Sequence, residues 1–184
     1  MKKGNSLKTI RSNKKGFGIH SPFVYNLVTN VLFVSPGFYI FDEIEKLNTS
    51  SDEKSQLRLL FRLLNHFQPD FVFYDGDWVN EEDLCILKRF NPGALFRKID
   101  PGFFDTAGIN PKTFLILNEI RDFAMPGIPG QGTWFFKSKP DKSKVNLIFK
   151  PLLEKEDGII LIELLNEDLI IFDKKFPSQH YVIK

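Results

Sequence analysis

The sequence has little cysteine and histidine and no long apolar run, and each scarcity excludes a class of protein. Cys85 is the single cysteine, so no disulfide can form within the chain. With three histidines, no Cys/His group has the spacing of zinc ligands, and we expect no metal site. No apolar run is long enough to cross a bilayer, and the basic N-terminus leads into Gly, Asn and Ser rather than into a signal sequence. We therefore expect a cytoplasmic protein with no membrane partner.

The length and hydrophobic content are sufficient for one globular domain. The chain has 184 residues, of which 42% are hydrophobic, so a core can form without a disulfide or a metal. The first 16 residues carry six basic side chains and no acidic one. This composition predicts a basic, flexible arm over 1–16 and a single α/β domain over 17–184, helical over 17–68 and sheet-containing over 69–184. The arm could contact phosphate, so weak binding of a polyanion is one possible function.

Helix signals dominate the first third of the chain. Ser21 and Pro22 are typical of an N-cap and a first helical position, and apolar residues follow at helical spacing. A short helix is predicted over 41–47. Ser50 and Glu53 form a capping box ahead of a strongly amphipathic segment, which predicts a helix that ends before Pro69.

The apolar pattern after Pro69 changes to that of strands. Apolar runs at 71–74 and 94–99, separated by a helix that Asn80 caps, predict a βαβ unit, and 113–117 predicts a third parallel strand. The Pro/Gly-rich stretch 125–132 predicts a loop, and Pro151 is expected to kink or end a helix near 145–152. The runs 159–164 and 169–172 predict an antiparallel hairpin at a sheet edge, with 176–183 as an edge segment. The predicted fold is a mostly parallel sheet with a C-terminal antiparallel hairpin and N-terminal helices.

Three segments, in this order, resemble a family of bacterial class I methyltransferase-like proteins found mainly in Bacteroidetes. The first contains Gly-Ile-His-Ser-Pro-Phe at 18–23, the second is the amphipathic stretch 56–65, and the third is the hairpin with Gln-His-Tyr-Val-Ile at 179–183. The resemblance implies a reduced Rossmann-like methyltransferase fold, a doubly wound sheet closed by an antiparallel hairpin. It also implies that the cofactor S-adenosylmethionine lies across the carboxyl ends of the first strands.

The resemblance assigns the cofactor-binding positions to two strand ends. The turn after the first strand contains Asp75, Gly76 and Asp77, and Asp100 matches the acid that holds the ribose hydroxyls at the end of the second strand. The turn has one glycine, although close backbone approach to the cofactor favours several. A second alignment matches 73–76 to a later strand of the family, and the whole cofactor half is then missing. The cofactor site is altered in both alignments.

The remaining candidates have structural interpretations beside the functional ones. His20, His66 and His180 favour local or structural roles, and Cys85, between Leu84 and Ile86, is expected in the core. Four acids could converge at the strand ends around a metal or cofactor, or could simply be turn residues: Asp75, Asp77, Asp100 and Glu119. The sequence therefore predicts a divergent methyltransferase-like protein with a degraded cofactor site and no assigned catalytic residue. An active methyltransferase of unknown acceptor and a non-enzymatic polyanion- or protein-binding module are the alternatives.

Overall fold

One eight-stranded sheet organises the chain. The computed structural model describes residues 9–34, 37–76, 79–100, 112–118, 131–137 and 142–184. Within these residues the strand order is β1-β8-β6-β7-β5-β4-β2-β3. Strand β7 is antiparallel to both of its neighbours, and every other pair is parallel. The carboxyl ends of seven strands therefore lie at one side of the sheet, called the carboxyl edge below. The strands are β1 (Thr9–Ser12), β2 (Phe71–Tyr74), β3 (Leu95–Lys98), β4 (Thr113–Leu117), β5 (Gln131–Phe136), β6 (Ile159–Glu163), β7 (Asp168–Asp173) and β8 (Gln179–Ile183).

The three helices with predicted N-caps, at Ser21, Ser50 and Asn80, begin where these signals place them. Helix α1 (Pro22–Leu27) is capped by Ser21, whose hydroxyl accepts from the Val24 amide, and it widens into a π-helical turn (Val28–Leu32). The capping box of Ser50 and Glu53 is complete. The other helices are α2 (Ile40–Glu45), α3 (Ser51–Phe67), α4 (Glu81–Phe90) and α5 (Lys142–Lys155). Pro151 lies inside α5, which continues to Lys155, so the proline does not end the helix.

Two apolar clusters cover the two faces of the sheet. The larger cluster joins α1, α2, α3 and α4 to residues such as Val72, Phe114 and Phe135. The smaller one packs Phe149 and Leu153 of α5 against side chains of β4, β5, β6 and β7. No helix in the described ranges is both long and apolar enough to span a bilayer.

The parallel strands are confirmed, but the position of the hairpin is corrected. Strand β2 pairs parallel with both β3 and β4, as the βαβ spacing predicted. Strands β6 and β7 form the predicted antiparallel hairpin. This hairpin does not lie at the sheet edge, because β8 pairs parallel with β6 and β1 pairs with β8. The segment predicted as an edge is therefore an interior strand.

The basic arm differs from its prediction at residues 9–12. These residues form β1, with Ile10 opposite Tyr181 of β8. His180 connects three strands, since its Nδ1 lies 3.1 Å from Thr9 Oγ1 and its Nε2 lies 2.6 Å from Glu163 Oε1. The pairing partner, β8, lies far away along the chain, so no local sequence pattern predicts β1. Residues 1–8 of the arm lie outside the described residues, and the division into an arm and one domain stays a prediction.

Strand β5 is an element that the sequence interpretation missed. The loop predicted over 125–132 overlaps the start of β5 at Gln131 and Gly132. Trp134, Phe135 and Phe136 follow and are buried at the centre of the sheet. A short aromatic run directly after a Pro/Gly-rich tract lacks the length and alternation by which strands are identified.

Candidate functional site

The order of the parallel strands reverses at β2. The chain passes from β2 to β3 on one side and returns to β4 on the other side. In doubly wound sheets, ligands bind outside the carboxyl ends of strands at such a reversal. The Asp75 amide donates to the Ile116 carbonyl at 2.9 Å, and the Ile99 amide donates to the Tyr74 carbonyl at 2.9 Å. These two bonds hold together the chain segments that leave β2, β3 and β4.

The structure brings three of the predicted cofactor residues to this reversal. Tyr74 lies opposite Lys98, so Asp75 and Gly76 leave β2 beside the segment that carries Asp100 beyond β3. Asp75 is half-buried and Asp100 is exposed. We call these four residues, Asp75, Gly76, Lys98 and Asp100, the β2–β3 corner.

The other acids predicted to converge here cannot be placed in the corner. Asp77 lies outside the described residues, and so does Glu119. Within the described part of the chain, no three His, Cys, Asp or Glu side chains are grouped as metal ligands would be.

A lysine side chain fills the space beside Gly76. A Cβ atom added to this glycine would overlap the Cδ, Cε and Nζ atoms of Lys98, although the backbone there has no unusual φ. The missing side chain of Gly76 therefore makes room for Lys98. Sequence reasoning did not name Lys98, although its place two residues before Asp100 on a predicted strand was a signal for it. Its ammonium group adds a positive charge at the strand reversal.

A second polar group joins α3, α4 and the end of β5. The Lys137 amide donates to the Leu117 carbonyl at 2.9 Å, and Gln56 Nε2 donates to the Lys137 carbonyl at 3.3 Å. Burial raises the pKa of Asp83, and nearby Glu53 raises it further. Burial lowers the pKa of Lys137, against the opposing effect of Glu53 and Asp83. One cation thus interacts with two carboxylates, and this group connects the starts of α3 and α4 to the end of β5.

A cavity of about 890 Å³ lies at the other end of the carboxyl edge, where α3 passes the ends of β6 and β8. Most of its lining is apolar, and four basic side chains, Glu167, Ser55 and Gly37 complete it. We call it the arginine cavity, because Arg58 and Arg62 of α3 line it one helical turn apart. The apolar lining residues are Leu32, Phe33, Val34, Phe41, Leu59, Leu164, Leu165, Val182 and Ile183.

Arg62 is the most constrained cation of the arginine cavity. Its Nε donates to the Val31 carbonyl at 2.8 Å and its Nη2 to the Leu32 carbonyl at 2.9 Å, at the end of the π-helical turn. Burial lowers the pKa of Arg62 to about 10, and the like charge of Arg58 acts in the same direction. Arg58 itself forms an ion pair with Glu45 of α2.

The histidines and the cysteine contribute little to the β2–β3 corner or to the arginine cavity. His20 is exposed, and His180 lies in β8, an interior strand rather than the predicted edge segment, where it contacts Thr9 and Glu163. His66 lines a smaller cavity of about 330 Å³ at the opposite side of the sheet, and burial lowers its pKa, which favours the neutral ring. Cys85 is exposed rather than in the core, because α4 turns Ile86 and Leu87 inward instead.

Comparison of the chain with protein-family models, with curated proteins and with solved structures found no significant match.

Proposed function

We propose that this chain is a divergent methyltransferase-like domain that binds S-adenosylmethionine weakly or not at all. Its reduced Rossmann-like character is part of the proposal, supported by the strand reversal at β2 and the antiparallel β7 near the C-terminus. The β2–β3 corner is then the counterpart of the cofactor site. The cytoplasm is the proposed compartment.

The observation that carries the proposal is the Lys98 side chain over Gly76. A cofactor that approached this turn closely would have to displace the lysine. S-adenosylmethionine carries a sulfonium, an ammonium and one carboxylate group, so its net charge is positive, and a further cation near the sulfonium raises the free energy of the complex. The corner therefore disfavours the ligand by charge, and moving the exposed, flexible end of Lys98 adds a smaller cost.

Asp100 cannot offset this opposition alone. A hydrogen bond to a charged group contributes about 1.5–3 kcal/mol, whereas micromolar binding requires about 8 kcal/mol. Asp100 is also exposed, so water competes for its carboxylate. No described side chain is assigned as a catalytic group, and an active enzyme of this kind would have to work by positioning its two substrates.

Calorimetric titration with S-adenosylmethionine and S-adenosylhomocysteine tests the proposal. We expect the wild-type protein to bind both with dissociation constants above about 1 mM. Lys98→Ala should strengthen binding measurably, and Lys88→Ala, which removes an exposed lysine of α4, should not. A low-micromolar dissociation constant for the wild type, abolished by Asp100→Ala, would contradict the proposal and favour the active methyltransferase.

A further inference from the structure

The arginine cavity has the size and lining of a small-molecule site. Its volume of about 890 Å³ lies within the range of ligand pockets, roughly 300–1,000 Å³. It is distant in the sheet order from the β2–β3 corner, because four strands separate β8 from β2. A ligand here would therefore be independent of the cofactor proposal.

One side of the cavity is suited to a hydrocarbon. Phe33 and Phe41 come from the segments on either side of Gly37, and Leu164 and Ile183 come from the ends of β6 and β8. Leu165, in the β6–β7 turn, is 79% exposed although it lines the cavity. A hydrocarbon chain placed here would remove this surface from water, at about 25 cal/mol per Å² of apolar area.

The basic side chains give the cavity an excess of positive charge. The basic lining residues are Lys14, Arg58, Arg62 and Lys184. Among the described lining residues, these four positive charges face one carboxylate side chain, that of Glu167. The Arg58 charge is paired with Glu45. The two hydrogen bonds of Arg62 go to neutral carbonyls and use two of its five N–H donors. A carboxylate would add an opposite charge to this half-buried guanidinium, where screening by water is weaker than at the surface.

We propose that the arginine cavity binds an organic acid with a hydrocarbon body, its carboxylate on the Arg58–Arg62 side and its chain against the apolar lining. Burial and the like charge of Arg58 lower the pKa of Arg62, and a bound anion would act in the opposite direction by favouring the charged guanidinium. A nucleic acid fits less well, because its phosphates need an extended basic surface rather than a concave, mostly apolar lining.

Calorimetry with two matched probes tests the proposal. Decanoate, kept below its micelle concentration, and 1-decanol share the hydrocarbon body, and decanoate alone carries the charge. We expect decanoate to bind at one site per chain and at least about tenfold more tightly than decanol, a difference of about 1.4 kcal/mol. Equal affinities for the two probes, or decanoate uptake that does not saturate near one per chain, would overturn the proposal.

Two exposed leucines supply the matched variants. Leu165→Asp adds a negative charge at the cavity, whereas Leu95→Asp makes the same change on β3, where Leu95 is 53% exposed and does not line the cavity. We expect a loss of decanoate affinity of at least about tenfold in the first and less than about twofold in the second. Equal effects of the two would refute the site.

Arg58→Gln removes a cation without removing the carbonyl contacts of Arg62, and it should weaken decanoate more than decanol. Circular dichroism confirms that each variant is folded. An Arg58→Gln protein that is folded and keeps the wild-type preference for decanoate over decanol would also count against the proposal.

Discussion

The β2–β3 corner and the arginine cavity lie at opposite ends of the carboxyl edge, and the strands beside them differ in burial. At the β2–β3 corner, three of the four residues of β3 are exposed, including its last residue, Lys98, and only Phe96 is half-buried. At the arginine cavity, β6 is buried through its first four residues, and its neighbour β7 is buried through its first five. The corner carries the acids and the glycine that the sequence displays, whereas the cavity combines side chains from five distant segments. Local sequence motifs therefore predict the β2–β3 corner but cannot predict the arginine cavity.

Truncating a phenylalanine at the centre of the sheet and one on β3 should give the largest difference in the free energy of unfolding. Phe135 of β5 is fully buried, whereas Phe96 of β3 is half-buried. We expect Phe135→Ala to lower the free energy of unfolding by about 3–5 kcal/mol, and Phe96→Ala by less than half of that. Urea denaturation followed by circular dichroism measures both. Equal losses would mean that β3 is packed as tightly as the centre of the sheet.

Two glycines, Gly158 and Gly76, should differ in how much stability is lost when each is replaced by alanine. Gly158 has a φ of +92°, and a Cβ there would lie 2.8 Å from Lys174 Cα. Gly158→Ala should destabilise the protein by about 2–3 kcal/mol, from the left-handed backbone together with this overlap. Gly76→Ala meets only the flexible end of Lys98 and should cost under about 1 kcal/mol. A larger loss for Gly76→Ala than for Gly158→Ala in thermal denaturation would show that Lys98 is held in place.

Deletion of the first strand tests whether β1 belongs to the fold. Removing residues 1–15 takes away the half-buried Ile10 and the pairing of β1 with β8. We expect a loss of about 1–2 kcal/mol, somewhat below the value for full burial of an isoleucine. Removing 1–8 is the control, because every described residue stays in place. The same midpoint for both truncated proteins would support a dispensable arm instead.

The smallest predicted effect is a pH dependence at Glu167. Burial raises its pKa above the reference value of 4.5, so the folded state holds this proton more tightly than the unfolded state. The stability that comes from the proton is fully present below pH 4.5 and is lost as pH rises through the folded pKa. Glu167→Gln should therefore gain stability relative to wild type between pH 4 and pH 7.

Urea denaturation of both proteins at the two pH values measures this gain. Glu82→Gln on α4 is the control, because Glu82 is exposed. A difference between wild type and Glu167→Gln that is the same at both pH values would contradict the assignment.

The helix starts and the first parallel strands could be predicted because their causes are local. The Ser21 and Asn80 caps and the Ser50–Glu53 box act within four residues of the positions that they determine. Strand β5 and strand β1 could not be identified, since each is stabilised by partners that only the folded sheet supplies.

The same distinction applies to the candidate sites. Asp75, Gly76 and Asp100 follow predicted strands directly, so their meeting at one edge could be foreseen. The position of Lys98 over Gly76, and the approach of Arg62 to the carbonyls of Val31 and Leu32, depend on packing between elements. Neither contact can be predicted from the spacing of residues in the sequence.

The pairing of β1 with β8 has a consequence for the order of folding. The Thr9–His180 contact closes a loop of 171 residues, and a closure of that length is entropically costly and slow. Until β1 docks, β8 is an open strand edge, because its other neighbour in the described sheet is β6. Such an edge is a template for strand addition by another chain. The folding chain is therefore most exposed to aggregation after β8 has paired with β6 and before β1 covers the outer edge of β8.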